Sequence, residues 1–172
     1  MESTLVFIHG LESTSQGNKA QYFRKYYPQM IIHDYRGDFP TRMQKLGNVL
    51  QNKNDLILVG SSYGGLMAAS YALDNEQSIK KLVLLAPALN IEGFEKAVKQ
   101  KLKIPVIIYH GTNDEVVEPS DVYRIAKNSF EKLEYHLVED DHPLTKVFPS
   151  LPWPELRAPE HKARSPDHRP AG

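Results

Sequence analysis

Short apolar runs rich in β-branched residues recur along the chain, and a longer segment with helical spacing follows most of them. The predicted strands are Leu5–Ile8, Met30–His33, Leu56–Val59, Leu82–Leu85, Val106–Tyr109 and Glu134–Val138. The predicted helices are Lys19–Tyr27, Arg42–Gln51, Gly65–Leu73, Phe94–Leu102 and Ser120–Lys132. Most of the strands are continuously apolar, which is typical of strands buried on both faces. The alternation predicts right-handed crossovers and a mainly parallel sheet, and therefore an α/β domain.

The last part of the chain has a different composition. Half of the 12 prolines fall between Pro149 and Gly172, and arginine replaces lysine as the main basic residue from Phe148 onward. No helical or strand period is present there. We therefore expect one domain over residues 1–147 and an irregular Pro/Arg-rich tail over residues 148–172. The tail is either a flexible extension or an ending with which the fold did not evolve, as a frame change would produce.

Size and charge narrow the class of protein. A chain of 172 residues is long enough for one domain with a sizeable core. Its 21 basic and 21 acidic side chains balance, so no overall field attracts it to nucleic acid or to an anionic membrane. The absence of cysteine excludes disulfides, a thiol nucleophile and thiolate metal sites. Neither a signal peptide nor a membrane span is indicated, and we expect a cytoplasmic protein.

A glycine-rich turn provides the strongest chemical signal. The segment Gly60-Ser61-Ser62-Tyr63-Gly64-Gly65 directly follows a predicted strand, precedes a predicted helix and matches the pattern G-x-S-x-G. A serine in such a tight turn has a strained backbone, and the residues two positions away must lack side chains to avoid collision. We therefore predict Ser62 as a nucleophile rather than reading the segment as an ordinary glycine-rich loop. Ser61 competes, but it has no glycine two residues after it.

An acid and then a histidine follow Ser62, which is the chain order found in folds that place a nucleophilic serine in a G-x-S-x-G turn. Asp114 comes just after the predicted strand Val106–Tyr109, and His142 comes just after Glu134–Val138, so both should lie at the carboxyl edge of the sheet. An imidazole that takes the serine proton and a carboxylate that orients the imidazole would activate Ser62. A turn aspartate and a solvated histidine are the alternatives. The competing acids are Glu115, Asp140 and Asp141.

The first predicted strand ends in His9-Gly10-Leu11, and Gly10 would let the chain turn close to a substrate carbonyl. Two backbone amides usually hold the oxyanion beside such a serine. One is the N–H of the residue after the nucleophile, here Tyr63, and the other comes from the loop after the first strand, here Leu11. The alternative is a plain turn that ends the strand.

Together these motifs resemble those of the α/β-hydrolase superfamily, in particular its small intracellular serine esterases with little or no lid. The segments that carry the resemblance are Phe-Ile-His-Gly-Leu, Gly-Ser-Ser-Tyr-Gly-Gly, His-Gly-Thr-Asn-Asp-Glu-Val-Val and Asp-Asp-His. The resemblance extends from Leu5 to about Val147. It implies a single three-layer α/β/α domain, a minimal version of that fold with a six-stranded sheet in the order 2-1-3-4-5-6. The site would lie where this order reverses.

The sequence departs from the family pattern in two places. Between Ala86 and Lys103 there is room for a short helix but not for a lid domain. After His142, prolines interrupt the helix that usually covers the sheet; they are Pro143, Pro149, Pro152 and Pro154. An uncovered apolar face would favour a homodimer through that face or the tail. Alternatively, it would be covered by Phe148, Leu151, Trp153 and Leu156 of the same chain.

The resemblance implies hydrolysis of a small carboxylic ester through an acyl-enzyme on Ser62, and the missing lid favours short acyl chains. The alternatives are an acyl thioesterase and a catalytically weak binding module with the same fold. No cofactor and no metal are expected, because the sequence contains no H-x-x-x-H pair, no P-loop and no G-x-G-x-x-G. Three other histidines fall in or at strands and are interpreted as packing or hydrogen-bonding residues; they are His33, His110 and His136.

Overall fold

The computed structural model describes residues 2–158; Met1 and residues 159–172 lie outside the described part. The strands are β1 (Thr4–Ile8), β2 (Ile31–Ile32), β3 (Leu56–Ser61), β4 (Ile79–Leu85), β5 (Leu102–Gly111) and β6 (Phe130–Val138). The helices are α1 (Asn18–Tyr26), α2 (Phe39–Leu50), α3 (Tyr63–Asn75), α4 (Phe94–Ala97), α5 (Pro119–Ser129) and α6 (Trp153–Leu156). Single 3₁₀ turns occur at Glu76–Ser78 and Phe148–Ser150.

All six strands form one parallel sheet in the order β2-β1-β3-β4-β5-β6. This arrangement confirms the predicted α/β class and strand order. The sheet grows outward from β1 to β2 and then continues from the other side of β1 with β3, so its order reverses between β1 and β3. In open α/β sheets, ligands bind outside the carboxyl ends of the strands at such a reversal. Here those ends are Ile8 and Ser61.

Two predicted helices are shorter than their periodicity indicated. Helix α4 ends at Ala97 instead of Leu102, and α5 ends at Ser129 instead of Lys132. The reason is tertiary pairing, because Leu102 pairs with Phe130 at the start of β5 and β6 and both side chains are buried. An extended conformation at both positions places these side chains in the core, which outweighs the local helical preference.

Two apolar clusters, one on each face of the sheet, give three layers. On the first face, side chains such as Val6, Leu58 and Leu84 pack against α2, α3 and α5. On the second face, side chains such as Phe7, Val59 and Val83 pack against α1 and against residues that follow β6. The alternation of neighbours along each strand explains why the strands are apolar throughout. The predicted α/β/α layering is confirmed.

Residues 148–158 differ from the predicted irregular tail. Phe148, Trp153 and Leu156 are buried on the second face, where the Trp153 ring lies edge-on to Phe23 of α1 with ring centroids 4.9 Å apart. The ammonium of Lys81, which is buried in β4, donates to the Ala158 carbonyl. This segment therefore covers the sheet with side chains of the same chain, which was the second of the two outcomes that the sequence predicted. We propose that the folded domain extends through Ala158; residues 159–172 of the predicted tail lie outside the described residues.

Residues 139–158 contain only the 3₁₀ turn Phe148–Ser150 and the four-residue helix α6, and no long covering helix, as the prolines predicted. Between β4 and β5 the chain forms only α4, of four residues, and no lid domain. Within residues 2–158, none of the helices has the length and apolar character needed to cross a bilayer.

Candidate active site

Ser62 occupies the turn between β3 and α3, with φ of 54° and ψ of −115°. Residues with a side chain rarely adopt this conformation, and it is found where the surrounding structure enforces it. Close contacts around the turn hold this conformation. At Gly64, an added Cβ would collide with the Ile8 carbonyl oxygen. At Gly65, an added Cβ would lie 2.8 Å from the Cβ of Pro87. Close packing of α3 against β1 and against the loop after β4 therefore holds the turn.

Backbone hydrogen bonds fix both sides of this turn. The Ser62 amide donates to the Leu85 carbonyl at 2.8 Å, and the Ala88 amide donates to the Ser62 carbonyl at 3.1 Å. Both partners belong to the end of β4 and the loop after it. The backbone of Ser62 is consequently rigid, and only the χ1 angle of its hydroxyl group remains free.

The structure brings Ser62, Asp114 and His142 together. The distance from His142 Nε2 to Ser62 Oγ is 2.9 Å, and the distance from His142 Nδ1 to Asp114 Oδ2 is 2.6 Å. The Asp114 side chain is fully buried, whereas 18% of the His142 side chain is exposed. The three residues come from the loops after β3, β5 and β6, so the order of these strands in the sheet creates the cluster.

The Asp114 carboxylate accepts several N–H donors. Its Oδ1 accepts from the amides of Val116 and Val117, each at 2.8 Å. Burial by itself would raise the pKa of this carboxyl group, but the Val117 amide, the His142 ring and the Val116 amide outweigh burial, and the pKa is lowered. Asp114 is therefore an anion that can only accept hydrogen bonds, which requires a proton on His142 Nδ1. His142 Nε2 then presents a lone pair to the Ser62 hydroxyl.

The competing acids have other partners. Asp140 Oδ2 accepts from the amides of Lys146 and Val147, each at 2.9 Å. Asp141 accepts from the amide and the hydroxyl of Thr145, and Glu115 is exposed. Of the four acids, Asp114 is the one in hydrogen-bond contact with His142. Asp140 instead shapes the loop that carries His142.

The predicted oxyanion side lies next to Ser62. An added Cβ on Gly10 would lie 3.5 Å from the Cβ of Ser62. Tyr63 is the first residue of α3, where a helical amide has no acceptor within its own helix. Leu11 follows Gly10 in an exposed turn. The loop after β1 and the start of α3 thus both adjoin the serine.

His9 orients the peptide between Gly10 and Leu11. Its Nε2 accepts from the Tyr35 amide at 3.0 Å, so its proton is on Nδ1, which donates to the Gly10 carbonyl at 2.7 Å. Because that carbonyl and the Leu11 amide belong to one planar peptide, fixing the first also fixes the second. Burial, together with the charge of Arg42, lowers the pKa of His9 despite the bond to Gly10.

A cavity of about 550 Å³ is lined by Ser62, His142 and the loops around them. Three large apolar side chains on its wall are also exposed to solvent: Leu11, Ile91 and Val116. The wall also includes Lys19, whose Nζ donates to the Pro143 carbonyl at 2.5 Å. Burial lowers the pKa of Lys19 against the opposing charges of Asp141 and Asp140. Lys19 thereby links α1 to the loop of His142.

Sequence reasoning missed two side chains that organise this site. His9 belongs to the motif His9-Gly10-Leu11, in which the sequence predicts a role for Gly10 and Leu11 only. His110 was interpreted as a packing or hydrogen-bonding residue; it is fully buried, and its Nε2 lies 3.0 Å from Asp114 Oδ2. The available signal was its spacing of four residues from Asp114 across the end of a strand. Among residues 2–158, no group of three or more His, Asp or Glu side chains could hold a metal ion.

Residues 24–100 match the Hydrolase_4 family, described as serine aminopeptidase, S33. The matched segment contains Ser62 and ends before Asp114 and His142. No curated protein matches the sequence significantly.

Solved structures share the fold over most of the chain. Est1E from Butyrivibrio proteoclasticus, solved with ferulic acid bound, has a TM-score of 0.72 at 16% identity, covering 90% of this chain and 86% of that one. The carboxylesterase from Bacillus cereus has a TM-score of 0.69 at 18% identity, covering 91% and 89%. A predicted CIB-like hydrolase from Thermoplasma acidophilum has a TM-score of 0.69 at 21% identity, covering 90% and 83%.

At these identities the likeness to solved structures shows the fold. The family match covers the strand, turn and helix around Ser62, and the sheet order is the one that the sequence motifs implied. The chain therefore has an α/β-hydrolase-like fold, and residues 24–100 match a hydrolase family model within it.

Proposed function

We propose that this protein is a serine hydrolase that cleaves carboxylic esters through an acyl-enzyme intermediate. The observation that carries the proposal is the continuous hydrogen-bonded chain from Asp114 Oδ2 through the His142 ring to Ser62 Oγ, with distances of 2.6 and 2.9 Å. A hydroxyl group has little nucleophilicity near neutral pH unless a base removes its proton during attack. His142 Nε2 is the base within reach.

In the first step, Ser62 Oγ attacks the ester carbonyl carbon and its proton passes to His142 Nε2. The imidazolium that forms is stabilised by the buried Asp114 anion, which keeps its charge because its pKa is lowered. The tetrahedral intermediate collapses, the ester C–O bond breaks, and His142 protonates the departing alcohol. In the second step, His142 takes a proton from water as the water oxygen attacks the acyl carbon. The bond between that carbon and Ser62 Oγ then breaks, His142 returns the proton to Oγ, and the carboxylic acid is released.

Negative charge develops on the carbonyl oxygen in both tetrahedral intermediates. The amides of Tyr63 and Leu11 are the proposed donors to this oxygen. Their placement is supported by the position of Tyr63 at the start of α3 and by the contact between Gly10 and Ser62. Each amide belongs to a rigid backbone segment, so it needs no reorganisation as the charge forms.

The cavity favours small esters with an apolar group. Its volume of about 550 Å³ has to hold both the acyl group and the alcohol, and no lid domain extends it. The exposed apolar wall of Leu11, Ile91 and Val116 would be covered by an apolar substituent of the ester. We therefore propose a preference for short acyl chains. The name of one structural neighbour, a carboxylesterase, agrees with ester chemistry.

The test is hydrolysis of p-nitrophenyl acetate and butyrate by wild type and by Ser62→Ala. We expect kcat to fall roughly 10⁴- to 10⁶-fold in Ser62→Ala, the range typical for loss of one member of such a cluster. Ser61→Ala is the matched control, because it removes the neighbouring hydroxyl group, and it should retain most of the wild-type turnover.

Retained turnover in Ser62→Ala would exclude this serine as the nucleophile. A dodecanoate ester hydrolysed much faster than the butyrate would contradict the short-chain preference. Parallel assays of an acyl-CoA and a matched oxygen ester determine whether thioesters are the better substrates.

A further inference from the structure

Asp114 has more hydrogen-bond donors around it than orientation of one histidine requires. Oδ1 accepts two backbone amides of its own loop. Oδ2 is shared, since it lies 2.6 Å from His142 Nδ1 and 3.0 Å from His110 Nε2. His110 is the last residue but one of β5, so its backbone is part of the sheet rather than of a loop.

The tautomer of His110 follows from its second contact. Nε2 also lies 3.0 Å from the Val117 carbonyl oxygen, which can only accept. Nε2 therefore carries a proton that points between Val117 O and Asp114 Oδ2. Nδ1 is buried and has no hydrogen-bond partner, so a proton there would be unsatisfied. His110 is a neutral donor whose single N–H holds the acid loop at two points.

We propose that His110 is a positioning residue of the site, whose Nε2–H fixes Asp114 Oδ2 and limits how strongly that oxygen binds the proton on His142 Nδ1. The inference rests on the proposed function, because it assigns a role within the same hydrogen-bonded chain. His110 acts through Asp114 and touches neither the substrate nor Ser62.

The physical reason is competition for one oxygen atom. A carboxylate oxygen that accepts two N–H groups gives each of them less electron density than it would give to one alone. Without His110, Asp114 Oδ2 would bind the His142 proton more tightly, and the carboxylate could rotate about χ2 because one of its anchors is gone. The first effect changes the basicity of the His142 ring, and the second misplaces it relative to Ser62 Oγ.

Among residues 2–158, few titratable side chains lie near Asp114 and His110. The effect of His110 on the Asp114–His142 hydrogen bond can therefore be measured with little interference from other titrations. The titratable side chains around Asp114 and His110 are His142, after β6, and Tyr135, in β6, whose ring centroid lies 6.4 Å from that of His110. Burial raises the pKa of Tyr135 to about 12, so its phenol stays neutral across the assay range. Glu118 and Tyr123 also act on Tyr135, and the Glu118 carboxylate accepts from the amide and the hydroxyl of Ser120.

The experiment compares three substitutions of His110. His110→Gln is the matched control, because its side-chain amide can place an N–H near the position of Nε2. His110→Asn is polar but too short to reach Asp114, and His110→Leu fills the space without a donor. Each variant is assayed for unfolding by urea, for the pH dependence of kcat/KM on p-nitrophenyl acetate, and by proton NMR for the downfield resonance of the His142 Nδ1 proton.

We expect His110→Gln to resemble wild type in the Nδ1 resonance and in the acid limb of kcat/KM. In His110→Asn and His110→Leu, the Nδ1 resonance should move further downfield and the acid limb of kcat/KM should move to higher pH. Their kcat should fall roughly 10- to 100-fold with little change in KM, as is common when a residue behind an active side chain is lost. If His110→Leu does not fold, the comparison with wild type and His110→Gln is made with His110→Asn alone.

The proposal is overturned if folded Asn or Leu variants keep the wild-type resonance and acid limb, or if His110→Gln is altered as much as they are. The latter result would mean that only the shape of the ring matters. The resonance is recorded without substrate, so it tests the role of His110 even if the wild type cleaves no ester. Absence of ester cleavage would instead count against the proposed function.

Discussion

His9 and His110 are neutral, buried side chains that each hold one tautomer. His9 carries its proton on Nδ1 and His110 on Nε2, as their backbone partners require. Burial is the largest cause that lowers the pKa of both rings. Both rings support the backbone at the ends of strands, one beside Gly10 and one beside Asp114. A proton added to either ring would have to displace one of these contacts or remain unsatisfied.

These two histidines should make folding stability depend on pH. The ordinary pKa of histidine is 6.5 in the unfolded chain, whereas the folded protein resists protonation of His9 and His110. The unfolded state therefore binds more protons below about pH 6.5, and stability should fall as the pH decreases from 7.5 to 5.5. Each ring contributes at most about 1.4 kcal/mol per pH unit. Urea unfolding of wild type at both pH values measures the effect.

The matched comparison for this prediction uses two glutamine substitutions. His110→Gln should weaken the pH dependence of the urea midpoint, because it removes one buried ring. His33→Gln changes an exposed histidine and should leave the dependence as in wild type. An unchanged dependence in His110→Gln would show that this ring is protonated as easily in the folded protein as in the unfolded chain.

Helix α3 and strand β1 approach each other closely at the site. The contact is between the first turn of α3 and the end of β1, where Gly64 faces the carbonyl oxygens of Ile8 and His9. Only a glycine allows this approach, which brings the Ser62 turn beside the Gly10 loop. The helix–strand contact therefore positions the nucleophile relative to the proposed oxyanion donors.

Alanine at two helical glycines should have opposite effects. In Gly64→Ala the added Cβ would collide with the Ile8 carbonyl oxygen, and we expect a loss of at least about 2 kcal/mol in the free energy of unfolding. In Gly47→Ala, within α2, the added Cβ meets nothing within 4 Å. That variant should gain roughly 0.5–1 kcal/mol, since alanine favours the helix. Equal urea midpoints for the two variants would contradict the packing described for α3.

For the molecule as a whole, the sheet receives its second covering layer from two separate parts of the chain. Helix α1 supplies Ala20 and Phe23, and residues after β6 supply Phe148, Trp153 and Leu156. The Phe148 and Trp153 rings lie at 5.5 and 4.9 Å from that of Phe23, between centroids. A few large aromatic side chains therefore cover the apolar face of the sheet that a long regular helix would otherwise cover.

The strand order and the cluster of Ser62, Asp114 and His142 could be predicted because their signals are local. Most strands of this sheet are continuous apolar runs, and each of the three residues comes a few positions after a predicted strand. The ends of α4 and α5 could not be predicted, since they depend on the pairing of Leu102 with Phe130. Burial of Trp153 and Leu156 on the sheet was one of the two outcomes that the sequence left open. It could not be distinguished from the other, because proline removes helical periodicity without preventing burial.

The roles of His9 and His110 depend on contacts with Tyr35 and Val117, which no pattern along the chain specifies. Periodicity reports which face of an element is apolar, but it does not report which backbone group a buried ring will meet. The support that His9 and His110 give to the site therefore depends on tertiary contacts that the sequence does not specify.

The most direct test of the central claim is labelling with a fluorophosphonate probe, with the modified residue located by mass spectrometry. The probe reacts with a serine hydroxyl that a neighbouring base activates. We expect a single adduct on Ser62 in wild type and in Ser61→Ala, and none in Ser62→Ala. In His142→Ala the labelling rate should fall roughly 10³-fold or more. An adduct on another residue, no adduct, or an unchanged rate in His142→Ala would contradict the account.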